Sequence, residues 1–320
     1  MTIHQNQKNL DFTIAIMSFN RGKYLRLCAL SCLKNLPDIQ IIIYDDNSDD
    51  LQTIDILEEL QNLGCRIVRV TETELTARHG GLYDNMQRAL DECQTPWLVY
   101  LQDDVQVVRT LDKNTADVIR TQFQDPDIAF IRSQFFKESD MWRFRKHLSV
   151  APERGVLEPI DTYKNCDIDH SYCDVMIADV AKLRAVNWQF EGLERANQHR
   201  AKQHFKYMPY LWNPFVFYCP EVPSYRDRKL YLASRIVQHK RNNEIVSYLP
   251  IEGETAKAFL ERNNDRWPIA EDFLVPTLND VRQPFVFQDY AKTWWLHALY
   301  KIESRLWRIF TGIFRVFRKK

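Results

Sequence analysis

Hydrophobic positions in the first third of the chain follow two alternating rhythms. Residues 12–17 (FTIAIM) form a short apolar run, and Ser18-Phe19-Asn20-Arg21-Gly22 supplies turn chemistry after it, which predicts a strand and a loop. From 24 to 33 the apolar side chains fall at helical spacing, with Lys23, Arg26 and Lys34 on the outer face, and Pro37 stops the helix. Residues 39–44 (IQIIIY) are β-branched and predict a second strand. It ends in Asp45-Asp46-Asn47-Ser48-Asp49-Asp50, which suits the cap of a helix over 51–63 that Gly64 closes. A third strand is predicted over 65–70 (CRIVRV) and, after the loop 71–81, a helix over 82–93. The fourth strand, 97–101 (WLVYL), has an unbroken apolar run, which predicts burial on both faces.

Four strands alternating with helices over short connections mean βαβ units, right-handed crossovers and a parallel sheet. The second and fourth strands both end in Asp-Asp, at Asp45-Asp46 and Asp103-Asp104, and in a parallel sheet both ends emerge on one edge. An ionised carboxylate is costly to bury unless paired or bound to a metal, and this edge is where open α/β sheets bind ligands. With Asn20 and Arg21 beside them, the acids predict a site for a hydroxyl-rich, phosphate-bearing ligand with a divalent cation. Past Val105 the pattern thins. A helix over 111–123, strands at 128–131 and 174–178, and a short helix over 180–186 are legible, whereas 138–154 carries no period. Four prolines between 209 and 223 predict a closing loop.

Composition narrows the choice without redirecting it. At 320 residues the chain can bury a sizeable core. The 43 basic and 43 acidic residues cancel, so charge gives no reason to expect a nucleic-acid partner. Only 8 glycines occur, and neither GxGxxG nor GxxxxGK[ST] is present, which argues against a glycine-rich phosphate loop. The 7 cysteines lie mostly in apolar segments without zinc spacing, and the first eleven residues lack the apolar run of a signal peptide. Buried reduced thiols in a cytoplasmic protein are the expectation.

The strand ends resemble the family 2 glycosyltransferases, inverting GT-A enzymes that use nucleotide-diphosphate sugars. IAIMSFNR (14–21) is similar to the family's opening strand and turn, IIYDDNS (42–48) to its second, acidic element, and YLQDD (100–104) to its metal-binding DxD element. The resemblance spans about residues 11–205. It implies an α/β fold of GT-A type, with a mostly parallel central sheet flanked by helices and, here, a helical C-terminal extension. It further implies a nucleotide-diphospho-sugar donor lying along Ser18, Asn20 and Arg21, with Asp46 or Asp45 accepting hydrogen bonds from base or ribose. Arg78 would face the diphosphate, Asp104 would hold Mn²⁺ or Mg²⁺, and Asp103 would reach the ribose or sugar. Gln102 departs from the pattern, since many relatives carry Asp there. Inverting transfer needs a carboxylate base. GLERAN (192–197) resembles the family's late acidic motif, which points to Glu194, with Glu191 as runner-up. Asp169 and His170 resemble an acceptor-side segment.

The last thirty residues are a separate physical object. Trp295, Leu299, Ile302, Leu306, Ile309, Ile313 and Phe317 recur at three- and four-residue steps, and eight Lys or Arg stand against the single acid Glu303. A basic amphipathic helix bordered by tryptophans reads as lying in a membrane interface, here peripherally on the cytoplasmic face of an inner membrane. The expected organisation is a GT-A-like domain over 8–225, a helical or irregular extension over 226–290 and the amphipathic helix over 291–320. The expected function is inverting transfer of a sugar to a hydroxyl of a saccharide or lipid-linked saccharide, in surface polysaccharide or lipopolysaccharide synthesis. One alternative is a membrane-docked nucleotide-sugar-binding scaffold without turnover. The other is a nucleotide-sugar pyrophosphorylase, which usually shows a Gly-rich segment where this chain has SFNR.

Overall fold

The four early apolar runs all become neighbouring strands. The computed structural model describes residues 11–69, 81–160, 170–220, 231–242, 244–279, 281–286 and 289–317, with the backbone alone at 152, 289 and 308–317. Strands β1 (Phe12–Ser18), β2 (Gln40–Asp45), β3 (Arg66–Arg69) and β4 (Trp97–Gln102) pair in parallel in the order β3-β2-β1-β4. Helices α1 (Gly22–Asn35), α2 (Leu51–Asn62) and α3 (Leu82–Glu92) lie between them in the chain. Asp50 caps α2, its carboxylate accepting from the Thr53 N–H at 2.9 Å, the role its side chain suits. At the start of α1 the backbone comes so close to α2 that a Cβ on Gly22 would lie 2.8 Å from the Thr53 Cα. Only glycine fits that approach.

The middle of the chain brings β5 (Val105–Val107), α4 (Lys113–Gln122), β6 (Phe130–Ile131), α5 (Met141–His147), β7 (Leu148–Ala151), β8 (Val156–Pro159) and β9 (Met176–Asp179). Next come α6 (Val180–Ala185), α7 (Glu194–His204), β10 (Tyr210–Leu211) and β11 (Val216–Tyr218). β9 pairs antiparallel with both β4 and β6 and extends the sheet to β3-β2-β1-β4-β9-β6. The sheet is therefore mostly parallel with one reversed strand. β7, β8 and β10 form a small antiparallel sheet, and β11 pairs with β5.

Strand alternation divides the core into two layers. Ile14 and Ile16 of β1 and Val99 and Leu101 of β4 pack with Leu25, Cys28 and Ile119 on one face. Ala15, Met17, Leu98 and Tyr100 pack with Met86, Leu90, Leu183 and Trp188 on the other. The Tyr100 hydroxyl, fully buried, donates to the Met86 carbonyl at 3.0 Å, as a buried phenol must find a partner. The six described cysteines are buried free thiols.

The extension contributes α8 (Leu232–Lys240), α9 (Gly253–Leu260), α10 (Ala270–Phe273) and α11 (Trp294–Phe317). Val246, Tyr248, Ile251 and Phe259 share a core with Val108, Phe135 and Phe217. The Gln106 amide donates to the Tyr248 carbonyl at 2.7 Å and accepts from its N–H at 2.9 Å. α11 rests on α8 through Leu296 against Ala233 and Val237. Among the described residues no helix is long and apolar enough to cross a membrane.

Candidate active site

Two backbone hydrogen bonds set the site. The Asp46 N–H donates to the Ser18 carbonyl at 2.9 Å and the Asp103 N–H to the Met17 carbonyl at 3.0 Å. Both acidic strand ends are thereby fastened to the end of β1, one on each side.

The two pairs are built differently. Asp45 is fully buried and satisfied locally: its carboxylate accepts from the Ser48 N–H at 2.8 Å and the Ser48 hydroxyl at 2.6 Å, with Arg69 at 3.4 Å. Asp46 turns the other way and accepts from the Gly81 N–H at 2.9 Å. Any Cβ at position 81 would overlap the Asp46 carboxylate, so the approach requires glycine. Asp103 is fully buried beside β1 and takes its counter-charge from Arg21, whose Nε donates to it at 3.0 Å and whose Nη2 completes the pair. The same guanidinium reaches Asp104 at 3.3 Å through Nη1. Burial pushes the Asp103 carboxyl up to about 7, Arg21 pulls it down, and the neighbouring Asp104 charge adds to the rise.

The Asn20 side chain bridges backbones. It donates to Asp49 at 2.7 Å and accepts from the Asp49 and Asp50 N–H groups at 3.0 and 3.1 Å. Its φ of 48° is the left-handed conformation that asparagine tolerates. Asn20 thus holds the turns after β1 and β2 together and aims Arg21 inward. The Ser18 hydroxyl is buried at the same edge.

Because β9 runs antiparallel to β4, the residues just before it arrive at the acidic edge. Asp174 accepts from the Tyr83 hydroxyl at 3.0 Å and the Tyr172 hydroxyl at 2.9 Å. Burial, then Asp174, raises the Tyr83 hydroxyl well above its ordinary range, and Glu194 is among the charges adding to this. Glu194, the first residue of α7, is thus brought within electrostatic reach of Tyr83. Glu191 lies farther out, exposed, at 3.3 Å from Arg200. His170 is buried with its Nδ1 at 2.6 Å from the Ser171 hydroxyl. Arg78 and Asp169 lie outside the described residues.

Lys137 is a further cation at this edge that the sequence pattern did not single out. Its ammonium stands 5.1 Å over the Tyr218 ring, on the strand paired to Val105. Burial lowers its pKa, and Asp104 is among the charges opposing that. Nor did the pattern single out Tyr83, Tyr172 and Asp174: Tyr83 falls inside the predicted helix 82–93, and Asp174 opens the predicted strand 174–178 as an acid close to the aromatic Tyr172.

The donor set fits a hard divalent cation. Among the described residues no three His, Cys, Asp or Glu are placed to share one metal ion, but Mn²⁺ and Mg²⁺ commonly use one or two carboxylates together with substrate phosphates. Asp104 Oδ1 is buried with no hydrogen-bond partner among the described residues. That is the kind of oxygen such an ion would complete.

The family model described as glycosyl transferase family 2 matches residues 13–181, more than half of the chain. No curated protein matches. Staphylococcus aureus TarS 1–349 is similar over 65% of this chain and 60% of its own, at 15% identity and a TM-score of 0.46. The mannosyltransferase PcManGT from Pyrobaculum calidifontis, solved with GDP-Man and Mn²⁺, aligns over 73% of this chain and 64% of its own, at 15% identity and a TM-score of 0.43. Glucosyl-3-phosphoglycerate synthase from Mycobacterium tuberculosis aligns over 54% and 58%, at 13% identity and a TM-score of 0.36. The chain thus spans about 60% of the TarS fragment it resembles.

Proposed function

Since the chain belongs to glycosyl transferase family 2, we propose that it moves a sugar from a nucleotide-diphosphate donor to a hydroxyl of a saccharide or lipid-linked saccharide, with inversion. The observation carrying this reading is the convergence of Asp46, Asp103, Asp104 and Arg21 on the end of β1. Asp46 accepts from the base or ribose, and Asp103 from ribose or sugar hydroxyls. Arg21, now paired with the acids, offers its fork to the diphosphate, and Arg78 is a second candidate there. Asp104 would hold a Mn²⁺ or Mg²⁺, which would neutralise charge on the departing diphosphate.

Glu194 is the proposed base, with Glu191 the second candidate. The acceptor proton passes to its carboxylate as the acceptor oxygen bonds the anomeric carbon. The bond from that carbon to the diphosphate breaks on the opposite face, which inverts the centre. Asp174 and its two tyrosines, with His170 and Asp169, form the acceptor side. Incubating a panel of nucleotide sugars and saccharide acceptors with Mn²⁺ tests this. Glu194→Gln is expected to lower kcat roughly 10²–10⁴-fold with donor affinity retained and the product anomer inverted. Wild-type turnover in that variant would remove Glu194 from the role.

We also propose that α11 rests on the cytoplasmic face of a membrane, as a surface-glycan enzyme with a lipid-linked acceptor requires. Trp295, Ile302 and Leu306 turn outward while Leu296 faces α8, and this supports the reading. A chain ending at residue 287 should lose flotation with liposomes.

A further inference from the structure

Between α8 and the start of α11 lies a cavity of about 360 Å³. Four basic residues, Lys240, Arg241, Arg282 and Lys292, line it together with Asn279 and Thr293, and none of its described lining residues is acidic. Arg241 is mostly buried, and the Lys292 ammonium donates to the Arg282 carbonyl, which ties two walls together. Four basic groups around one concavity focus a positive potential there. Lysine and arginine donors in such a space suit a phosphate's oxygens.

The cavity also adjoins the apolar stripe of α11. The Lys240 ammonium sits 5.6 Å over the ring of Trp295, the first residue of that stripe. Trp294 is 82% exposed, Trp295 40%, Ile302 59% and Leu306 50%, and none of the four belongs to the cluster that packs α11 on α8. A positive hollow at one end of an exposed tryptophan-bordered stripe matches one chemistry: a phosphate held at the level of a membrane interface, with acyl chains beside it.

We propose that this cavity is a binding site for the phosphate of an anionic phospholipid headgroup, so that α11 docks by one specific contact as well as by its apolar face. This rests on the membrane contact proposed above. It adds a ligand site separate from the acidic edge, and it gives the enzyme a preference for anionic over neutral surfaces.

Flotation of the full-length protein with vesicles of phosphatidylcholine alone, or with phosphatidylglycerol added, tests both statements separately. Lys240→Gln/Arg282→Gln should weaken binding to the anionic vesicles on the order of tenfold or more. Lys113→Gln/Lys257→Gln, which removes two exposed charges elsewhere, should leave it within about twofold. Unchanged thermal melting and donor hydrolysis confirm that the first variant is folded. Equal binding of wild type to both vesicle types overturns the headgroup site while leaving the membrane contact standing. Binding to neither vesicle type removes the membrane contact and the headgroup site with it. An equal loss in both variants overturns the headgroup site in favour of diffuse attraction. Complete competition by millimolar inorganic phosphate overturns the lipid source in favour of a free-phosphate pocket.

Discussion

Asp45-Asp46 and Asp103-Asp104 are the same dipeptide at the same edge of one sheet, yet they are held in opposite ways. The first buried acid is satisfied three residues away by Ser48, within its own turn. The second must reach Arg21, 82 positions earlier in the chain. A local turn of this kind contributes shape. A buried carboxylate whose counter-charge comes from a distant loop is sensitive to whatever that loop binds. The difference separates an acid that builds the site from acids that work in it.

The largest test of that difference is chemical. Asp104→Asn should reduce sugar transfer by about 10³–10⁴-fold, since several kcal/mol of charge stabilisation is at stake, while Asp45→Asn should act mainly on melting temperature. Steady-state assays beside thermal melts would show it, and comparable kinetic losses in the two would erase the contrast.

Next in size is the counter-charge. Arg21→Ala leaves Asp103 buried without its partner and should cost roughly 3–5 kcal/mol, against about 0–1 kcal/mol for Arg69→Ala, because Asp45 keeps both Ser48 bonds. The pH sign follows from the raised Asp103 pKa. Its contribution to stability is fully present below the ordinary carboxylate range and is lost as pH rises through about 7. Removing Arg21 moves that loss to still higher pH, so the penalty should grow between neutral and alkaline pH. Denaturant titrations without divalent cation would measure it, and a pH-independent penalty would contradict the assignment. A smaller loss than that of Arg21→Ala is expected for Gly81→Ala, about 1–3 kcal/mol from overlap with Asp46, together with weaker nucleotide binding by calorimetry.

The β1–β4 half of the fold was legible because its strands and helices are long enough to show a period and end on recognisable caps. The segment 138–159 was not, since it folds as a seven-residue helix and two four-residue strands. Elements of one or two turns carry too few positions to distinguish a rhythm of two from one of 3.6. In the candidate site, the acids and Arg21 could be read because adjacent carboxylates ending an apolar run are chemically conspicuous. Lys137, Tyr83 and Asp174 reach the same edge by tertiary routes, through the β5–β11 pairing and the reversed β9. No local pattern marks residues placed in that way.

The reversal of β9 has a consequence for how a transferase of the proposed kind could diversify. The acids proposed for the donor side sit where parallel strands leave the sheet, whereas Tyr172 and Asp174 sit where an antiparallel strand enters it. The two halves of the site are therefore written on stretches of chain that share no turn. A change at Asp174 would leave the turns that hold Asp46, Asp103 and Asp104 as they are, whereas Tyr172, Cys173 and Val175 beside it belong to the core. On the proposed reading, Asp174, the one residue of 170–175 that is not buried, is the position to vary for a different acceptor.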